Sequence, residues 1–325
     1  MRRPGYFFAY VFLALLISRI EWSNFHRDSC KIQQNDSISG YRIPLQTIYR
    51  GERAKESHEF GLRSRAAVVL DTEKGEILFE KNMDERLPIA SLTKLMSALT
   101  FLETDPDLRD TASITLADAW RSGKDRLRVG ELFFLRDLLH ASLMSSSNRA
   151  TRALARASGL SHHQFAERMN RKARELGLSS SFFCEPTGLD QRNRSSALDC
   201  ARLLYAALQD STIRSIAGKS FYEFNSLNQW NRRHRVGSTD KLLFSSLKVI
   251  GGKTGYIRAS GWCQGTLVEG DEGRELLAVV LGAPSKHTRF REIRSIVKWS
   301  IGEETRGTQE PLALGEPSGT RAKVY

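Results

Sequence analysis

The chain is short of the residues that staple small or metal-held scaffolds: among 325 residues there are 4 cysteines, 7 histidines and 8 prolines. Cys30, Cys184, Cys200 and Cys263 are too sparse for a disulfide framework, and none forms a C-x-x-C pair. In an oxidising compartment Cys184 with Cys200 is the pairing to test first, with buried free thiols as the equal alternative. There is no H-E-x-x-H, and adjacent His162 and His163 point apart on a helix, so a metal site has no support and no cofactor is expected. Absence of G-x-S-x-G removes the nucleophile elbow. Gly252-Lys253-Thr254 resembles the end of a phosphate loop, but the first glycine of that loop would fall at 247, which is leucine. Without compositional repeats, the chain is neither collagen-like nor a solenoid.

What is present is a globular composition, 40% hydrophobic and 26% charged, enough for one large domain or two ordinary ones. The formal net charge of +12 suits a polyanionic partner: nucleic acid, an anionic membrane or a wall polymer. No five basic residues occur in a row, and the excess is spread through residues 61–302, so nucleic acid is not expected. Arg2 and Arg3 precede an apolar stretch from Tyr6 to Ile17, the outline of an export signal too short to span a bilayer comfortably. Ser18 to Ser23 offers no small-x-small cleavage site, so membrane association through a retained N-terminal anchor is the alternative. An extracytoplasmic location, periplasm or cell envelope, follows from either.

The expected organisation is an export signal or anchor over 1–18, a linker over 19–61, a catalytic domain over 62–302 and a flexible tail over 303–325. Ala66 to Leu70 and Ile77 to Phe79 flank Asp71-Thr72-Glu73-Lys74-Gly75 and predict a hairpin. From Ser91, Leu92, Leu95, Met96, Leu99 and Leu102 recur at helical spacing until Asp105-Pro106. Helical patterns follow at Leu135–Leu143 and Ala197–Leu208, then strand-like stretches between Lys248 and Leu281 and a last helix over Arg289–Ile301. Strands at both ends with helices between them imply one α/β domain with a helical lobe.

Three elements carry the chemistry: Ser91-Leu92-Thr93-Lys94, Ser146-Ser147-Asn148 and Lys253-Thr254-Gly255. Alone, the first is a helix N-cap followed by a solvated lysine, and Ser245-Ser246-Leu247-Lys248 matches the same pattern by chance. Three in order are specific. Ser91 opens a helix, Lys94 lies one turn on and on the same face, and a lysine stripped of its proton can activate a serine hydroxyl. Lys253 and the positive end of the helix at Ser91 are the expected causes of a lowered Lys94 pKa.

With these motifs the chain resembles the active-site serine penicillin-binding proteins and serine β-lactamases. Leu87-Pro88-Ile89-Ala90-Ser91-Leu92-Thr93-Lys94-Leu95-Met96, Glu185-Pro186-Thr187-Gly188-Leu189 and Val279-Val280-Leu281-Gly282-Ala283 look most like the low-molecular-mass D-alanyl-D-alanine carboxypeptidase and endopeptidase family, over about 62–302. The resemblance implies an α/β fold with an antiparallel sheet flanked by helices and an inserted helical lobe. It implies peptidoglycan stem peptides as substrate and β-lactams as covalent inhibitors. Ser91 would be the acylated nucleophile and Lys94 its base. Ser146 and Lys253 would relay the proton to the leaving amine, and Asn148 would bind the substrate's amide backbone. Backbone N–H groups of Ser91 and Tyr256, which follows Gly255, would form the oxyanion hole. Thr254 would contact the terminal carboxylate, with Arg289 as the opposing charge.

Two positions depart from the family's habit: Ile257 stands where threonine is frequent and Ser147 where glycine is. The implied activity is a D-Ala-D-Ala carboxypeptidase, with a DD-endopeptidase cutting D-Ala-meso-diaminopimelate cross-links as the near alternative. A β-lactamase lacks its Glu-x-x-Leu-Asn element here, since Leu189 and Asp190 stand one residue too far from Glu185. A non-catalytic β-lactam sensor or wall-binding protein would not need all the proton-transfer groups.

Overall fold

Six strands form the central sheet in a computed structural model that describes residues 48–57, 60–228, 231–270 and 273–302. They are β1 (Tyr49–Arg50), β2 (Ala66–Asp71), β3 (Glu76–Lys81), β4 (Lys248–Ile257), β5 (Gly261–Glu269) and β6 (Glu275–Ala283), in the spatial order β1-β3-β2-β6-β5-β4. Every pairing is antiparallel except that of β1 with β3, so the expected antiparallel sheet is mixed at one edge. The export segment, Cys30 and the tail lie outside the described residues.

The two faces of the sheet follow from its period of two. In β2, Ala66, Val68 and Leu70 join one core with the helices while Ala67 and Val69 join a second core on the opposite face. Covered on both faces, β2 reads as a continuous apolar run. Asp71 accepts hydrogen bonds from the Glu73 and Lys74 amides, both at 2.9 Å, and Gly75 takes φ +68°, which closes the predicted hairpin.

Order begins earlier than the linker reading of 19–61 anticipates. β1 and the helix α1 (Glu52–Glu56) lie inside that range, and Gly51 N–H donates to Ile77 O at 3.0 Å. A two-residue strand and a five-residue helix are too short to show a period.

The longer helices between β3 and β4 are α2 (Thr93–Leu102), α3 (Leu135–Met144), α4 (Asn148–Ala157), α5 (His162–Glu175) and α6 (Ala197–Gln209), with shorter ones at Leu116–Ala119 and Ser211–Ala217. α2 is buried on nearly every side, and Asp105 at φ +50° ahead of Pro106 ends the run after it. The last helix, α7 (Lys286–Ser300), covers the other face with Ile293, Ile296 and Val297 and is capped by Ser285 Oγ. Phe60, Phe79 and Trp299 pack edge-on there, with centroids 5.6 to 6.2 Å apart.

Cys184, Cys200 and Cys263 are free thiols, so the Cys184–Cys200 pairing is corrected. Cys200 and Cys263 sit in the apolar core and Cys184 Sγ lies 3.2 Å from Asn193 Oδ1. Burial raises all three thiol pKa values, Cys184 to about 12, and makes them poor nucleophiles. Iodoacetamide is expected to label all three in denaturant without prior reduction and Cys200 and Cys263 hardly at all in the native protein, as peptide mass spectrometry would read.

Candidate active site

Ser91 sits in the short turn Ala90–Leu92 that leads into α2, after Ala90 at φ +47°, a left-handed conformation that alanine adopts only when its surroundings hold it there. β4 supplies part of that hold. A Cβ on Gly255 would stand 2.9 Å from Ile89 O and 3.0 Å from Ser91 N, so glycine lets the strand run against the turn.

Lys94 is fully buried. Its Nζ lies 2.9 Å from Ser91 Oγ, 2.7 Å from Asn148 Oδ1 and 2.6 Å from Thr187 O. A neutral amine has two N–H groups and one lone pair, which match two carbonyl acceptors and one hydroxyl donor. An ammonium would meet three acceptors and no counter-charge in contact. Burial pushes the Lys94 pKa down to about 7. The expected causes are corrected here: desolvation comes first, and the cation acting on Lys94 is Arg152, while Lys94 in turn depresses Lys253.

Lys253 projects from β4 towards the helices, its Nζ 3.0 Å from Ser146 Oγ and 3.1 Å from Thr254 O. It too is buried, and desolvation with Lys94 and Arg289 nearby holds its pKa well below the ordinary lysine value. Ser146 occupies the turn between α3 and α4 at φ +61°, and its hydroxyl accepts from Lys253 Nζ. Ser147 fills a structural role. Its Oγ accepts from Ala150 N at 3.0 Å as the cap of α4 and donates to Asp125 Oδ2 at 2.7 Å. Asn148 is held at both ends, since its Nδ2 donates to Ser122 O at 2.8 Å while its Oδ1 accepts from Lys94.

Thr254 lies on the opposite face of β4 from Lys253, its Oγ1 donating to Thr239 Oγ1 at 2.7 Å. Arg289 reaches the same face from α7. It is 2% exposed, its Nη1 donates to the carbonyls of Gly255 at 3.2 Å and Cys263 at 3.1 Å, and burial lowers its pKa to about 10. Tyr256, half exposed, stacks on Trp262 with centroids 4.1 Å apart.

Ser91, Ser146, Asn148, Thr254, Gly255 and Tyr256 all face one cavity of about 440 Å³, with Arg289 at its wall and the two amines behind their serines. Thus every sequence-predicted site residue is in or directly behind one crevice. Among the described residues no cluster of metal-ligating side chains exists. By contrast Ser245 Oγ donates to Leu242 O and Lys248 pairs with Glu269, so that second S-x-x-K is inert.

Sequence reasoning missed the loop that props Lys94. Glu185 accepts from Thr187 N at 2.7 Å, Thr187 Oγ1 at 2.6 Å, Gly188 N at 2.5 Å and Asn193 Nδ2 at 2.8 Å. This carboxylate folds the loop so that Thr187 O meets the Lys94 amine. The Glu-Pro-Thr-Gly-Leu stretch was the available signal, although as sequence it names no function for its glutamate.

The arrangement can remove a proton from a serine hydroxyl beside an open cavity and return one from a second serine–lysine pair. The sequence model of the D-alanyl-D-alanine carboxypeptidase family, peptidase S11, matches residues 53–285. The chain belongs to that family. This S11 peptidase is 32% identical over 246 residues to a D-alanyl-D-alanine endopeptidase of Pseudomonas aeruginosa, covering 73% of this chain and 77% of the relative. It is 28% identical over 267 residues to the D-alanyl-D-alanine carboxypeptidase DacF of Bacillus subtilis, covering 79% and 67%. Its fold matches the crystal structure of the Streptomyces K15 DD-transpeptidase with a TM-score of 0.70 at 24% identity, over 74% of this chain and 98% of that one. The α/β DD-peptidase fold is therefore that of this S11 peptidase.

Proposed function

We propose that this S11 DD-peptidase is a serine carboxypeptidase that releases the terminal D-alanine from peptidoglycan stem peptides through an acyl-enzyme on Ser91. The observation that carries the reading is the Lys94 amine, buried and 2.9 Å from Ser91 Oγ, with a pKa of about 7. Lys94 takes the Ser91 proton as the oxygen attacks the penultimate D-Ala carbonyl. The oxyanion is held by the backbone N–H groups of Ser91 and Tyr256. Ser146, fed by Lys253, protonates the nitrogen as the C–N bond breaks, and water then splits the ester and regenerates Ser91. Asn148 has one amide N–H to offer the substrate backbone besides the one that it gives Ser122. Thr254 and Arg289 take the substrate's carboxylate.

A β-lactam would acylate Ser91 by the same steps and remain there. The only glutamate in the family-like loop, Glu185, is occupied by loop donors, which supports slow release of the adduct. Extracytoplasmic placement, in the periplasm or envelope, brings the domain to that substrate and suits its positive charge. The endopeptidase reading is favoured by one observation, the 32% identity to a protein of that name. Incubation with intact muropeptides separates the two: free D-alanine from pentapeptide ends is expected as the main product, whereas split dimers with no D-alanine released would replace the carboxypeptidase reading.

A further inference from the structure

We propose that Trp262 is a positioning residue for substrate recognition: its indole sets the plane of the Arg289 guanidinium, so that the edge formed by Nε and Nη2 meets the carboxylate at the end of the peptide. This rests on the reading above, in which Arg289 takes that carboxylate, and deepens it by naming the side chain that aims the arginine. Trp262 stands in β5 directly opposite Tyr256 of β4, and Thr254 lies two residues before Tyr256, so alternation puts all three side chains on one face of the sheet. All three line the cavity together with Arg289, which comes from α7. Trp262 and Phe290 also pack on the core beneath α7, so the indole joins the cavity wall to the interior.

A guanidinium carries its N–H groups in one rigid plane, and part of that supply is already spent. Nη1 donates to Gly255 O at 3.2 Å and to Cys263 O at 3.1 Å, which closes that end to a ligand. Nε is buried and, among the described residues, has no hydrogen-bond partner. A buried N–H left unpaired is costly, whereas a carboxylate accepts two parallel bonds from one edge of a guanidinium. With Nη1 occupied, that edge is Nε with Nη2. Two bonds from a single nitrogen leave the plane free to tilt about it, and the rings against the guanidinium remove the tilt: Arg289 Cζ lies 5.2 Å from the Trp262 centroid and 4.5 Å from the Phe290 centroid. Phe290 neighbours Arg289 on α7 and shifts with it. Trp262 belongs to the sheet and is itself held by the Tyr256 ring, 4.1 Å away at 27°, so it is the indole that ties the guanidinium to the strand carrying Thr254.

Two acyl-D-Ala thiolesters that differ only in the leaving group supply the test: one leaves as thioglycolate, with a carboxylate, the other as its neutral methyl ester. In the full chain Trp262→Ala is expected to raise KM for the thioglycolate about ten-fold, with kcat within about two-fold, and to leave KM for the methyl ester within about two-fold. Trp262→Leu, which keeps bulk in the core and lacks a π face, should behave as the alanine does, and Trp262→Phe should stay within about three-fold of the unaltered protein on both substrates. Equal losses on the two substrates, or no loss on either, would make Trp262 a prop of the sheet and overturn the proposal; where the alanine variant does not fold, the leucine variant decides. Arg289→Ala separates this failure from that of the reading beneath it. If that variant loses the thioglycolate selectively while the tryptophan variants do not, the positioning role alone falls. If it treats the two substrates alike, Arg289 is not the carboxylate's partner and both fall.

Discussion

Fluorescent penicillin is expected to label the unaltered protein on Ser91 and to leave Ser91→Ala and Lys94→Arg proteins unlabelled, with acylation slower by at least about a thousand-fold. Among the described residues, the alanine removes the one hydroxyl that contacts the Lys94 amine. The arginine keeps the charge and removes the function, because a guanidinium does not give up its proton in a protein. If instead Lys94 served only to hold Asn148 and Thr187 in place by donating to their oxygens, an arginine there, which keeps N–H donors, would acylate within about ten-fold of normal. Lys94→Met, which keeps the length of the stem, guards against a merely steric failure of the arginine.

The same side chain fixes a pH dependence. The base must be neutral, so the acylation rate should rise as pH climbs through about 7, the value to which burial pushes the Lys94 amine. Its sign in stability is set by the same shift. Between about 7 and 10.5 the unfolded chain holds a proton that the folded one has released, so folding is favoured by rising pH across that window. Below about 7 the full cost stands, at about 1.4 kcal/mol per pKa unit. Denaturant unfolding at several pH values, compared between the unaltered protein and Lys94→Met, reads this directly: the slope with pH should flatten in the variant.

The three motifs were legible because their chemistry is local: a serine and a lysine one helical turn apart, and a glycine within a strand where another backbone must pass. The hairpin at Ala66–Lys81 was legible because two short apolar runs flank a polar turn that ends in glycine. What the sequence did not disclose is what depends on distant packing. Phe221–Asn225 and Arg233–Gly237 pair as a hairpin that no expectation included, since arginines and a histidine hide the alternation that puts Phe224, His234 and Val236 inside. The source of the Lys94 shift was misread for the same reason. Neighbouring charges can be guessed from motifs, whereas the complete burial of an ammonium is decided by the helices and the loop around it. Arg289 could be chosen as a carboxylate partner, but not as a residue that also ties α7 to the carbonyl of Gly255.

Gly188→Ala is expected to lower acylation at least about a hundred-fold and to lower the melting temperature by several degrees, although position 188 lies outside all three motifs. Gly188 takes φ +81°, a conformation that costs alanine about 1 kcal/mol. The larger effect is steric. A Cβ there would fall 1.9 Å from Ala90 O and 3.0 Å from Ser91 N, both of them backbone, so either the loop or the turn carrying the nucleophile must move by about 1 Å. The loop cannot retreat freely, because Gly188 N–H is held by Glu185 Oε1 and Thr187 O by Lys94. A displacement of that size at a reacting group costs about a hundred-fold in rate. Gly159→Ala supplies the contrast: φ is +75° but a Cβ meets nothing within 4 Å, so it should show the conformational cost alone and acylate normally. If the two variants slow acylation equally, the close approach at Gly188 is not what positions Ser91.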